Sequence, residues 1–450
     1  MIFLHQDGYY KKILRMALPA IAGLSAQMVV SIVDAAMVGH LNEAEYALAA
    51  MGISVLATWA IVSFFSSLAT GTHVIIARRF GEKDYDACSL ALNNSIVISV
   101  LIGIVVSAIG MLNAHFIAQL FAKDYKVGAL AGDFIFFRLI GLPFFLITVS
   151  FRGFYFGTGH TRVFMVSGII VNFLNIIFNY VLIYGKFGFP AMGIKGSGLG
   201  SSLATIVDAA FYFSVSSLPR YSKVFHFLRS LRIDKSLIRS IIKISLPVSF
   251  QNIFILVGFL SFVAITGLIG TVQQAATQTI ISSLFLSILP CFGFGVAAQT
   301  LVGNAVGDGN IQLAKNYGYD TAKLATLYTL SLAVLFIGFP QLLLSVITED
   351  KNIIAAAIPA MRIAGIAQVF YGIGIVLANG LQSIGKTSFV MASEVLCNVF
   401  IFVPFSYLFG IYLKGGILGA WIAMPIYIIL YTTVITLKFS RDKWQTLRKI

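Results

Sequence analysis

The chain reads as long apolar runs broken by short polar stretches, with no sustained alternation of apolar and polar residues. Crossing the hydrocarbon core of a bilayer takes about 20 mostly apolar residues in a helix. Twelve runs reach that length. They fall at about 13–38, 46–71, 90–113, 129–153, 162–184 and 190–218 in the first half. In the second half they fall at about 240–265, 275–300, 317–340, 354–382, 388–412 and 415–438. Continuous runs predict membrane helices rather than the alternating strands of a barrel. The first run is too long for a signal peptide, and more spans follow it. The expected fold class is an all-α membrane protein of twelve transmembrane helices.

Composition narrows the class. The 450 residues are 58% hydrophobic and 11% charged, with a mean hydropathy of +0.92. Soluble domains carry roughly 25% charged residues, so a soluble enzyme, a disordered hub and a disulfide-stapled secreted domain are excluded. The net charge of +14 is explained by where the basic residues fall. With a cytoplasmic N-terminus, the outer side holds only Lys123, Lys126, Arg138, Lys186, Lys195, Lys351, Arg362 and Lys414. Those are 8 of the 31 Lys and Arg residues, so 23 face inward. That asymmetry predicts cytoplasmic termini by the positive-inside rule. The basic charge therefore reads as a topology signal rather than as a nucleic-acid site. The basic stretch 219–243 is expected to lie along the inner leaflet beside anionic lipid. Cys88, Cys291 and Cys397 have neither metal-ligand nor disulfide spacing.

The two halves repeat one another. Leu18-Pro19 recurs as Leu246-Pro247 at an offset of 228, and Arg138-x-x-Gly141 as Arg362-x-x-Gly365 at 224. Gly159 matches Gly385 and Asn172 matches Asn398, both at 226, while Lys195-Gly196 echoes Lys414-Gly415 at 219. Six spans per half is an even number, so both halves share one orientation. The pattern predicts two pseudo-symmetric six-helix bundles forming a parallel repeat around a central cleft, as in secondary transporters. The expected boundaries are an N-terminal lobe at 1–218, a cytoplasmic basic linker at 219–239, and a C-terminal lobe with a short tail at 240–450. There is no phosphate-binding GxxxxGK[ST] loop to power transport with ATP. The glycine-rich run 193–200 reads instead as a tight helix entry.

In so apolar a chain, ionisable residues at membrane depth are the functional candidates, because burying an ion there is costly unless it is paired or neutralised. Asp34 in the first span is the most conspicuous, and Pro19 in the same helix allows a kink. In the fifth span Asn175 and Asn179 stand four residues apart on one face, with Asn172 close by. Ser201, Ser202, Thr205 and Asp208 line the sixth span. Both sets read equally as ion-site groups or as interhelical hydrogen-bonding glue. Glu394 in span eleven reads either as a coupling site of the second lobe or as a structural carboxylate paired with Lys386.

The segments VDAAMVGHL at 33–41, IIARRFGEKD at 75–84, NFLNIIFNYVLIYG at 172–185 and LVGNAVGDGN at 301–310 resemble the multidrug and toxic compound extrusion (MATE) family, and within it the DNA-damage-inducible (DinF) branch. The resemblance covers nearly the whole chain. It implies a secondary active antiporter that exports amphipathic, often cationic organic compounds against an inward flow of protons or sodium ions by alternating access, in a bacterial plasma membrane. It places Asp34 on the essential carboxylate of the first helix, Asn175 and Thr205 on its polar partners, Gln27 on a cavity residue, and Pro19 on a bending proline. Asn179 stands where many DinF-like members carry a second aspartate. Ile255 and Tyr371 stand where the NorM-like branch carries acids, which argues against that branch's C-terminal cation site. The cation-coupling set expected here is Asp34, Asn175, Asn179, Thr205 and Asp208. Gln27, Asp34 and Asn172 are expected to line the substrate cavity. One carboxylate among amides suits a proton better than sodium, although the amide–hydroxyl set leaves sodium open. No other cofactor is expected, and the expected form is a monomer whose partners are organic cations and membrane lipids. The competing expectations are a flippase for lipid-linked saccharides, from the same superfamily, and a membrane-embedded lipid enzyme. The flippase would need more basic residues in its cleft than Arg138 and Arg362, and no nucleophile, metal or acid–base constellation marks an enzyme.

Overall fold

The computed structural model describes residues 7–41, 43–227, 232–441 and 444. Among the described residues the secondary structure is helical, without strands. The first half holds α1 (Asp7–Gly39), α2 (Ala44–Ser66), α3 (Leu68–Gly81), α4 (Tyr85–Leu112), α5 (Ala114–Phe121), α6 (Tyr125–Ile140), α7 (Leu142–Gly157), α8 (Thr161–Tyr184), α9 (Ile194–Ser217) and α10 (Pro219–Phe225). The second holds α11 (Lys235–Ile269), α12 (Thr271–Gly307), α13 (Ile311–Gly338), α14 (Pro340–Ser345), α15 (Lys351–Ser383), α16 (Thr387–Cys397), α17 (Val403–Tyr407) and α18 (Gly416–Arg441).

Eleven of the resulting segments are long and apolar enough to cross a membrane. The fourth predicted span is the exception, since it is split into α6 and α7 with a 50° bend between them. Pro143 sits in the first turn of α7, where its missing N–H costs no helical hydrogen bond. At the same corner Gly141 N donates to Ser202 Oγ at 3.0 Å. Counted as one bent span, the pair completes the twelve.

The chain forms two compact units, Ala22–Ser249 and Met1–Ile21 with Phe250–Ile450. The division runs through α1 and α11 rather than through the expected linker at 219–239. In both helices it falls two residues beyond the repeated proline, Pro19 or Pro247. The packing explains the exchange. Ile13 and Ala17, before Pro19, are buried in one core with Phe294, Ala297 and Ala298 of α12. Ser249, at the turn after Pro247, shares a hydrogen bond with Ser67, and Ile241 and Ser245 press on Gly71 of α3.

The linker is anchored by its aromatic residues. Tyr221 and Phe225 of α10 are buried, and Phe225 meets the rings of Phe80, Tyr85 and Phe154. Asn94 then clamps the following chain, donating to the carbonyl of Arg232 at 3.1 Å and accepting from Asp234 N at 2.9 Å. The described part of the linker is thus pinned to α4 and α7, and from Lys235 onward the expected linker is already α11. Positions 228–231 of the linker, and 442–443 and 445–450 of the C-terminal tail, lie outside the described residues.

Candidate functional site

In the Ala22–Ser249 unit, α1, α8 and α9 bring polar groups together around Asp34. Asn179 Nδ2 donates to Asp34 Oδ1 at 2.7 Å and also reaches Asn175 Oδ1 at 3.2 Å. Asn175 Nδ2 in turn donates to Ser201 Oγ at 3.1 Å. The chain of bonds runs from the half-buried carboxylate into a buried interior, since Asn175 is 7% exposed and Asn179 is fully buried. One helical turn separates the two amides, so α8 presents both on one face. Asn179 Oδ1 has no hydrogen-bond partner among the described residues, which leaves one acceptor free beside Asp34.

This arrangement depends on a close approach of α9. A side chain carbon at Gly200 would overlap Asn179 Oδ1 and lie 3.0 Å from the backbone nitrogen of Asn179. Glycine at 200 therefore lets the amide face be covered without pushing α8 away. Arg138 supplies a positive charge within electrostatic reach of Asp34. Arg138 and Thr205 also line a small pocket with Thr58, Val62 and Phe145.

The other predicted residues fall into place unevenly. Thr205 Oγ1 donates to its own helix at Ser201 O, 2.8 Å away, so among the described residues its hydrogen-bonded link to the network is through Ser201. Asp208 forms a separate site, in which it accepts from Ser167 Oγ and has Arg152 and Tyr212 in electrostatic range. Asn172 Nδ2 is buried without a partner among the described residues. Gln27 lies on an exposed face of α1, where its backbone carbonyl accepts from Ser31 Oγ at 3.2 Å. Pro19 sits inside α1, which stays helical through it.

Sequence reasoning assigned no role at this site to Arg138, Arg152, Ser167 or the linking part of Ser201. For Arg138 a signal was present, because an arginine retained in both repeats at a span end is costly there without a charge to answer it.

The comparisons with known proteins agree with this architecture. The MatE family model matches residues 19–181 and again residues 247–408. The two matches begin at Pro19 and Pro247, the same pair that opened the repeat. A Thermotoga maritima protein called "Probable multidrug resistance protein NorM" is 28% identical over 97% of this chain and 93% of its own length. "Uncharacterized transporter YisQ" of Bacillus subtilis is 26% identical over 90% and 88%. Among solved structures, one described as the outward-facing conformation of a multidrug resistance MATE family transporter superposes with a TM-score of 0.89. It is 22% identical and covers 99% of this chain and 98% of its own. A MATE in the straight conformation gives the same TM-score at 21% identity and the same coverage. These relatives are transporters, not enzymes, and the twelve-helix, two-lobe fold is theirs. The chain, matched by the family model over both of its repeats, belongs to the MatE family of multi-pass membrane transporters.

Proposed function

We propose that the protein is a secondary active antiporter that exports amphipathic, cationic organic compounds in exchange for protons, with Asp34 as the coupling carboxylate. The observation that carries this reading is the hydrogen-bonded series Asp34–Asn179–Asn175–Ser201, with Arg138 beside the carboxylate. The multidrug-resistance names of the relatives support the substrate class. The replacement of acids by Ile255 and Tyr371 supports the DinF-like assignment.

A carboxylate held by one amide donor and one nearby guanidinium exists as either an ion or an acid, and each form sets different demands on α1. Deprotonated Asp34 accepts from Asn179 and attracts Arg138 or a cationic substrate. Proton entry from outside cancels that attraction, so the substrate leaves and the transporter returns inward-facing, where the proton departs. Coupling of this kind requires that the two conformations hold the proton with different affinity. Both termini are cytoplasmic in this scheme, and the membrane is the bacterial plasma membrane.

Sodium is the second reading, favoured by the unpartnered Asn179 Oδ1, an oxygen suited to ligate a hard cation next to Asp34. Reconstituted wild-type protein given a fluorescent organic cation decides between them. With the pH gradient and the sodium gradient imposed separately, the proposal expects accumulation with the former alone. Accumulation with sodium alone would reject the proton in favour of the second reading.

A further inference from the structure

A carboxylate inside a membrane span is normally accompanied by a basic group, and four half-buried or buried acids of this chain follow the rule. Asp34 has Arg138, Asp208 has Arg152, Asp320 has Lys323 at 3.2 Å, and Asp133 has Lys195 at 3.1 Å. Glu394 breaks it. This side chain on α16 is 4% exposed, and among the described residues no Lys, Arg or His pairs with it. Lys386, the partner weighed from sequence, does not reach it.

The groups around Glu394 come from every helix packed on α16, and none is cationic. From α18, Tyr427 donates its hydroxyl hydrogen to Glu394 Oε1, and Tyr431 lies one turn further on. From α15 comes Tyr371, itself beside Cys291 of α12. Cys397 stands on α16 itself. The phenols and the Cys397 thiol offer hydrogen bonds but no positive charge.

The repeat sharpens the contrast. At the offset of 219 that aligns the last spans, Asp208 matches Tyr427 and Tyr212 matches Tyr431, while at 226 Ser167 matches Ser393. In each half, then, the fifth and sixth spans bury one carboxylate bonded by a hydroxyl from the facing helix. In the first half the acid is on the sixth span, with Arg152 to balance it. In the second it has moved to the fifth span of the repeat and has lost the arginine.

The backbone next to Glu394 is also unusual. Residues Asn398–Phe402 form a π-helical turn, in which Val403 N bonds to Asn398 O just before Pro404. Both polar atoms of the buried Asn398 side chain lack partners among the described residues. Restoring an α-helical register there would rotate the helix on one side of the turn by about 100° relative to the other. Turns of this kind are frequent at functional sites.

We propose that Glu394 is a second proton-binding group of the transport cycle, located in the C-terminal half and held by Tyr427 and Tyr431, with Tyr371 nearby. Packed as it is here, the carboxyl carries its proton. When the π turn changes register and Glu394 withdraws from the tyrosines toward water, the proton is released. The cycle then moves two protons for each substrate cation, one on Asp34 and one on Glu394. This inference rests on the proton-antiport reading above.

Thermodynamic stoichiometry in proteoliposomes, with membrane potential clamped at zero, tests it. A roughly hundredfold gradient of an organic cation is balanced by about one pH unit if two protons exchange, and by about two units if one does. Wild type is expected to balance near one unit and Glu394→Gln near two. Wild type balancing near two units, or Glu394→Gln balancing where wild type does, would overturn the inference while leaving proton antiport intact. Wild type showing no pH-driven flux would instead overturn the antiport reading, and this inference with it. Should Glu394→Gln fail to fold, Tyr427→Phe keeps the carboxyl and removes its donor. That variant is expected to keep the two-proton balance and to shift the pH of half-maximal export, and an unshifted profile in folded protein overturns the proposal.

Discussion

Gly200 touches neither ion nor substrate in this account, yet its replacement by alanine is expected to impair transport. The added carbon would overlap Asn179 Oδ1 and sit 3.0 Å from Asn179 N and 3.1 Å from the carbonyl carbon of Phe178. Two of these neighbours are backbone atoms of a helix, so the clash is relieved by moving α8 or by turning the Asn179 amide. Overpacking of this kind costs about 1–3 kcal/mol, offset in part by the roughly 1 kcal/mol that alanine gains over glycine in a helix. The functional loss is larger. Turning the amide breaks the bond to Asp34, and a hydrogen bond to a charged group contributes about 1.5–3 kcal/mol. At 1.4 kcal/mol per factor of ten, pH-driven export should fall roughly 10- to 100-fold while the fold loses at most a few degrees of thermal stability. Gly52→Ala is the control, because no atom lies within 4 Å of a carbon added there. Equal export by Gly200→Ala and Gly52→Ala in proteoliposomes would refute the claim that the α8–α9 approach holds the Asp34 site.

Further outcomes follow from the same geometry. Ser167→Ala removes the hydroxyl that bonds Asp208; it should lower unfolding stability in detergent by about 1.5–3 kcal/mol without changing the ion that drives export. Pro19→Ala restores a helical hydrogen bond inside α1, so its melting temperature should stay level or rise while export falls. A single cysteine at Phe187, 86% exposed between α8 and α9, introduced after removal of the native three, should react with an impermeant maleimide from outside intact cells. A cysteine at Gly309, between α12 and α13, should be protected in the same cells, and the reverse pattern would invert the topology.

Much of the fold was legible because a membrane punishes exceptions. Continuous apolar runs located the spans. The Asp34–Asn179–Asn175 series was legible for a related reason, since two amides four residues apart on a span must face polar company. What escaped the sequence depends on distance across the bundle. Nothing in the order of residues shows that Asp208 turns toward Ser167 and Arg152 rather than toward Asp34. Nor does it show that Arg138 answers Asp34, or that Glu394 sits among tyrosines instead of reaching Lys386. The exchanged halves of α1 and α11 were hidden too, because the prolines announce a bend but not which core each side of it joins.

The central claim is that Asp34 carries the coupling proton. It is tested most directly by export of a fluorescent organic cation from proteoliposomes driven by a pH gradient alone, comparing wild type with Asp34→Asn. The account predicts that the variant folds, binds the compound and fails to concentrate it. Concentration by Asp34→Asn at the wild-type rate under that gradient would contradict it.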